Sequence, residues 1–593
     1  MSKRTITALA ALVFTVIPAT ADTSWVEASD ANASVLLEVL ARLAPEGAGR
    51  LGVDGLDEEI FQLPLDLSER TIQAMEGAIA ELERRLALEE RAAVRQDLQI
   101  MIESAQDNID GTRISDQYEL PYFNVPQTVF RGIQALLDDR VEAERRPAAL
   151  TRLQRYTGME EGYTPITDQA IAFIQAKFAQ PELKGPFRDE LEKHLANSDR
   201  FIAGIEQLFQ KYELEGYEDA HQALTTQFAE WNAFVSGELM EHASDDFRLP
   251  REVYANRLKN VGVDMDVDQL QSRAKASFRE IQSEMQAMAE QIAAARGLEL
   301  SDYRDVIRAL KADQVVGEAI LPHYKQRLSQ LEEIIATEQV ISLPDREAVI
   351  RLASEAESAA IPAPHMSPPR LIGNTGEMGE FVLPLKIPSE DGEGELEIDD
   401  FTFDAASWTL TVHEGRPGHE MQFASIVENG VSIARVLFAL NSVNIEGWAL
   451  YAESEMKPYM PLEGQLISLQ HRLLRAARAH LDPGLQLGTI SREEAFRVLE
   501  EDVVTSHAMA LQEVERYTFW APGQATSYFC GYQRLLELRA DTERKLGSAF
   551  DRKDFHDFIL AQGLLPPSLM RKAVMEEFVA PRLRTAEVES TRG

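Results

Sequence analysis

Cysteine is all but absent from this chain: Cys530 is the only one among 593 residues. No intramolecular disulfide can form, so in an oxidising compartment the fold must be held by its core, with or without a metal. Positive charge is scarce too. Lys and Arg number 59 against 98 Asp and Glu, a formal net charge of −39. So acidic a surface repels nucleic acid and anionic membranes and favours solubility. Long apolar runs are also missing, apart from Ile6 to Ile17, which falls short of the roughly 20 residues a membrane span needs. There is no internal repeat, low-complexity tract or long linker.

The one apolar run follows Lys3 and Arg4 and precedes Ala19-Thr20-Ala21, the layout of a secretory signal peptide cut after Ala21. Residues 1–21 are expected to be a leader, and 22–593 a periplasmic or secreted protein with no stable membrane insertion after cleavage. Losing Lys3 and Arg4 with the leader makes the remainder more acidic still. No cysteine stands at the junction to carry a lipid.

Most of the remainder has helical periodicity. Ile72, Met75, Ile79, Leu82 and Leu86 recur at spacings of three and four just after Asp66-Leu-Ser-Glu69, which has the form of a capping box. Phe278, Ile281, Met285, Met288 and Ile292 repeat the pattern, and breaks fall near Pro181, Pro250 and Pro344. The expected fold is mainly α: a large helical, metallopeptidase-like domain over 22–593 enclosing a deep cleft. Its N-terminal helical part covers about 22–360 and its metal-site part about 361–593. Between Ile361 and Asp400 prolines and glycines accumulate, and Gly379–Pro384 and Glu395–Ile398 read as short strands. A small hairpin or sheet is expected over about 373–400. It would either offer an edge to a substrate backbone or be purely structural.

Histidine is uncommon, 11 residues in all, yet His413 and His419 flank a glutamate in HEGRPGHEMQ, His413 to Gln422. In the HExxH arrangement two histidines four apart share a helix face and reach one metal. Six apart on an unbroken helix they would diverge by roughly 240°. Pro417 and Gly418 lie between them, so a kink there could return His419 to the side of His413. A catalytic zinc takes three protein ligands and leaves a place for water. Glu446, in Asn444-Ile-Glu-Gly-Trp-Ala-Leu-Tyr-Ala-Glu453, is the favoured third ligand, and Glu428, beside a turn signal, the less favoured one. Glu453 shares a helix face with Glu446 and suits the role of orienting a ligating imidazole. Glu414 stands where a general base for the attacking water would be. Arg416 is read either as a clamp for a substrate carboxylate or as a partner for nearby acids.

HEGRPGHEMQ and Glu446-Gly-Trp-Ala-Leu-Tyr-Ala-Glu453 resemble two signatures of the bacterial domain-of-unknown-function 885 proteins. Ala477–Gln486, Glu513-Val-Glu-Arg-Tyr517, Pro522–Tyr528 and Phe555-His-Asp557 resemble further segments of that family. The family is similar to helical zinc peptidases of the thimet-oligopeptidase and angiotensin-converting-enzyme type. The resemblance implies one zinc ion on His413, His419 and Glu446, with Glu414 as base. Gln486 departs from the family, many of whose members have histidine there. Donors for the developing oxyanion are sought in Tyr528 first, whose segment resembles the family's tyrosine-bearing motif, then Arg516 and Tyr517. Gln524 is a further supporting or substrate-binding residue. His507, His556 and Arg478 are weaker substrate-binding candidates, and His471, among other histidines without a motif, defaults to a surface or core role.

The expected function is an exported zinc metallopeptidase acting on short peptides. The alternatives are a catalytically inactive periplasmic peptide-binding protein and a zinc hydrolase of non-peptide amides or esters.

Overall fold

The computed structural model describes residues 24–361, 363–388, 395–397 and 399–585, so the expected leader at 1–21 lies outside the described residues. The described chain is mainly α-helical, as expected. In the helix Leu67–Leu86 the apolar stripe buries Met75 and Leu82 and packs Ile72, Ile79 and Leu86 at the rim of one core cluster. The helix Val267–Arg296 likewise turns Ile281, Met285 and Ile292 inward. Asp266 caps its start by accepting from the backbone of Asp268 and Gln269, and Gly297, at φ +67°, ends it. The prolines interrupt helices where expected: Pro250 immediately precedes the helix Arg251–Asn260, and Pro181 and Pro344 fall between elements.

The expected capping box at Asp66 is not made. Asp66 sits at φ −98°, ψ 22° and makes no side-chain cap, because an N-cap needs extended backbone to aim its oxygen at the first free N–H groups. Its carboxylate pairs with Arg70 at 2.8 Å instead.

A small hairpin does lie within 373–400, and a separate sheet begins upstream of it. Val349–Leu352 (β1), His365–Ser367 (β2) and Glu380–Leu383 (β3) form a sheet of order β1-β3-β2, with β1 parallel and β2 antiparallel to β3. Lys386–Pro388 (β4) and Glu395–Glu397 (β5) form a separate hairpin. The two runs read as strands are therefore strands but not partners, and the sheet starts well before residue 373. All four residues of β3 are buried, so it is a central strand whose two edges are already paired. It cannot receive a substrate backbone; the open edges belong to β1 and β2.

The main core cluster gathers around the helix Leu462–Gln486, which packs against Val267–Arg296. This helix is buried nearly all round, yet it carries His471, Arg475, Arg478, His480 and Asp482 among its buried residues. Charges removed from water must find partners, and those partners lie in the helices that close over it. Among the described residues no helix is long and apolar enough to cross a membrane.

Candidate metal centre

The helix Asp404–Leu410 runs into a π-helical turn, Thr411–Gly415, and the next helix opens at His419. Pro417 and Gly418 do break the chain between the histidines. The Gly418 N–H donates to the carbonyl of Val412 at 2.9 Å, and a Cβ on Gly418 would lie 2.1 Å from the carbonyl oxygen of His413. Only glycine permits this approach. It brings the rings of His413 and His419 edge to face with centroids 4.8 Å apart. The indole of Trp448 donates to the Pro417 carbonyl at 2.9 Å, tying this turn to the helix Ser442–Met456, which carries Glu446.

Glu446 Oε2 lies 3.3 Å from His419 Nε2 and 3.6 Å from His413 Nε2, and one donor atom from each of the three residues falls within 4.8 Å of the others. Ligands about 2.0–2.1 Å from a tetrahedral cation stand about 3.4 Å apart, so the donor set fits such an ion. The other nitrogen of His413, Nδ1, is 2.7 Å from Glu453 Oε1. That contact makes Nδ1 the donor and leaves the Nε2 lone pair facing Glu446. Glu453 is fully buried and also accepts from Thr409 at 3.1 Å and Arg475 at 3.3 Å. Gln524 supports Glu446 from behind, donating to its Oε1 at 3.4 Å and to Ser442 at 3.0 Å. Glu446 Oε2 and His419 Nδ1 are buried without a hydrogen-bond partner.

Glu414 lines the same cavity as His413. Burial pushes its carboxyl up to about 7, with His419 working against the rise and Glu446 adding to it. Across the cavity the ring of Tyr528 lies nearly parallel to that of His413, with centroids 6.1 Å apart. Arg516 Nη2 donates to the Tyr528 hydroxyl oxygen at 3.3 Å. Arg475, Arg478, His471 and Gln470, all four from the buried helix Leu462–Gln486, share the polar lining with Asp400 and Thr505. Arg478 clamps Glu513 through Nε at 2.7 Å and Nη2 at 2.6 Å.

A family model for bacterial proteins of unknown function, DUF885, matches residues 45–574. The chain belongs to the DUF885 family. No curated protein matches it. Two solved structures share the fold. A candidate lipoprotein of unknown function from Shewanella oneidensis is 18% identical with a TM-score of 0.69, over 93% of this chain and 100% of its own. A candidate lipoprotein from Colwellia psychrerythraea is 19% identical with a TM-score of 0.73, over 92% and 98%.

In this DUF885 chain His413, His419, Glu446, Glu414, Glu453, Gln524, Tyr528 and Arg516 come together, and several other candidates do not. Arg416 spends its nitrogens on Glu420, Glu332 and the carbonyl of Arg346, each at 2.6 Å. It is a buried ion-pair hub, with no nitrogen left for a substrate carboxylate. The hydroxyl of Tyr517 donates to Glu513 at 2.6 Å, which positions that acid and removes Tyr517 as an oxyanion donor. Glu428 pairs with Arg346, exposed His507 with Glu500, and His556 with Tyr451 and the carbonyl of Val340. Gln486 binds the backbone of Tyr517 and Leu249. Among the polar lining residues, Arg475, Gln470 and Thr505 are not marked by any motif in the sequence, and His471 defaults to a surface or core role there. The available signal was Arg472, Arg475 and Arg478 at intervals of three in one predicted helix.

Proposed function

We propose that this protein is an exported zinc-dependent peptidase that hydrolyses short peptides. The observation that carries the reading is the convergence of His413 Nε2, His419 Nε2 and Glu446 Oε2 beside a second acid, Glu414, that lines the same cavity as His413. His413, His419 and Glu446 would hold one ion, and Glu453 would keep His413 in the tautomer that ligation requires. When bound, zinc supplies Lewis acidity toward a carbonyl oxygen and a water molecule.

The protein's own groups supply the proton transfers and the charge stabilisation. Glu414, whose burial keeps it from being a weak, fully ionised carboxylate, takes a proton from the attacking water and delivers it to the leaving amine. Arg516 donates to the oxygen of Tyr528, which leaves the phenolic proton free to donate to the oxygen on which negative charge develops. The Ala19-Thr20-Ala21 layout supports export, and so does the description of both structural relatives as candidate lipoproteins.

The test is hydrolysis of a short-peptide library by purified protein, with and without a chelator, beside Glu414→Gln. Cleavage should vanish with chelator and return with zinc, and Glu414→Gln should lose about 10²–10⁴ in turnover while keeping its metal. Full activity in Glu414→Gln sinks the mechanism. Cleavage of amides or esters but of no peptide replaces the substrate class.

A further inference from the structure

The cavity has a second wall, of which the hydrolytic chemistry uses only Tyr528 and, through it, Arg516. We propose that Arg475, Arg478 and Arg516, grouped around the ring of Tyr528, bind a carboxylate of the substrate, an inference that rests on the peptidase reading. Their guanidinium carbons lie 5.7, 4.5 and 5.6 Å from the centre of that ring. All three side chains line the cavity shared with His413 and Glu414, and they are only 6%, 5% and 11% exposed.

Two carboxylates serve these three cations on the cavity's far side. Arg478 and Arg516 share Glu513, the latter at 3.5 Å, and Glu513 also takes the hydroxyl of Tyr517. Arg475 reaches Glu453, which is already committed to His413. Asp400, the remaining acid of the lining, is held by Lys311 and the backbone of Ser506. Glu414 and Glu446 belong to the metal side. Donors are therefore left over: Arg475 Nε, Arg478 Nη1 and Arg516 Nε are buried with no acceptor in the protein.

Buried N–H groups without acceptors are unfavourable, and a planar guanidinium matches a carboxylate better than any other side chain does. The space suits a small group. The cavity offers about 70 Å³ to the centres of water molecules, room for about five of them, enough for the anionic end of a short substrate. A carboxylate reaches such a site either as the free C-terminus of a peptide or as an Asp or Glu side chain.

Binding without turnover separates these sources. Zinc-loaded Glu414→Gln protein is titrated calorimetrically with acetyl-trialanine, with its C-terminal amide, and with acetyl-Ala-Glu-Ala amide. The free acid is expected to bind at least about tenfold more tightly than its amide, a difference of about 1.4 kcal/mol. Tight binding of the glutamyl amide instead assigns the site to an acidic side chain and keeps the carboxylate assignment. Equal binding of all three overturns it. Arg478→Lys, which keeps a charge opposite Glu513 but loses the free Nη1, should abolish the preference. A folded Arg478→Lys protein, judged by thermal melting, that retains the preference also overturns the assignment. If Arg478→Lys does not fold, the three titrations on the intact arginine cluster decide alone. A preference for acids in a wild-type protein that cleaves no peptide removes the peptidase reading and keeps this site. Equal cleavage of acids and amides, with equal binding, does the reverse.

Discussion

Glu453 decides how firmly His413 is held. Its carboxylate takes the Nδ1 proton at 2.7 Å and is itself fixed by Thr409 and Arg475, so the imidazole has one tautomer and one orientation. Glu453→Gln should weaken zinc affinity by about 10–100-fold, measured by competition with a chelator, and unchanged affinity would mean that the contact does not orient the ligand. Cys530 gives a second residue-scale expectation. Burial and the neighbouring Asp264 push its thiol up to about 12, so native protein at pH 8 should resist thiol reagents and label once per chain only on denaturation. Rapid native labelling contradicts the burial. His413, Glu414, His419, Glu446 and Glu453 were legible in the sequence because their types and spacing state their chemistry. For Arg416 the local pairing with an acid, Glu420, was one of the two readings, but its partners Glu332 and Arg346 lie far upstream and only the fold brings them to it.

At the scale of elements, two glycine contacts set the geometry. Gly418 allows the second histidine helix to start against the carbonyls of the first turn. Gly447 and Gly531 let the Glu446 helix cross the Tyr528 helix, Thr526–Leu546, backbone to backbone: a Cβ on Gly531 would lie 2.0 Å from the carbonyl oxygen of Val443. Gly531→Ala must therefore part the two helices and displace Glu446 from the histidines. A loss of roughly 1–3 kcal/mol or more in denaturant unfolding, together with weaker zinc binding, is expected. Gly77→Ala is the control, since nothing lies within 4 Å of that position and it sits mid-helix, where alanine should stabilise by roughly 0.5–1 kcal/mol. A Gly531→Ala protein as stable as the Gly77→Ala control contradicts the close crossing. The break at Pro417-Gly418 was legible because proline and glycine act locally. The partners of β3 were not, because strand pairing is a property of segments distant in sequence, and β1 lies some thirty residues upstream of it.

For the molecule as a whole, the buried helix Leu462–Gln486 links stability to pH. Glu513 is buried, which alone would raise its carboxyl, but Arg478 and Arg516 outweigh this and hold it at about 2. A carboxylate depressed by folding contributes its stability above its ordinary range, and that contribution is lost as pH falls from about 4.5 toward about 2. Thermal melts across this window should show steep acid destabilisation. Glu513→Gln should flatten that dependence while lowering stability at pH 7 by about 3–5 kcal/mol, because Arg478 is left buried without its partner. An unchanged acid profile in the variant would place the acid lability elsewhere. The mainly helical fold was legible from periodicity along the chain. The charged interior of this helix was hidden, since an apolar stripe and a wholly buried helix differ only in what packs against the remaining faces.

We propose that His413, His419 and Glu446 hold one divalent cation. It is tested most directly by elemental analysis of protein purified without added metal and then titrated with zinc, for wild type, Glu414→Gln and His413→Ala. Close to one zinc per chain is expected in the first two and almost none in a folded His413→Ala. A wild-type protein that takes up no metal, or a His413→Ala variant that binds it as tightly, would contradict the claim.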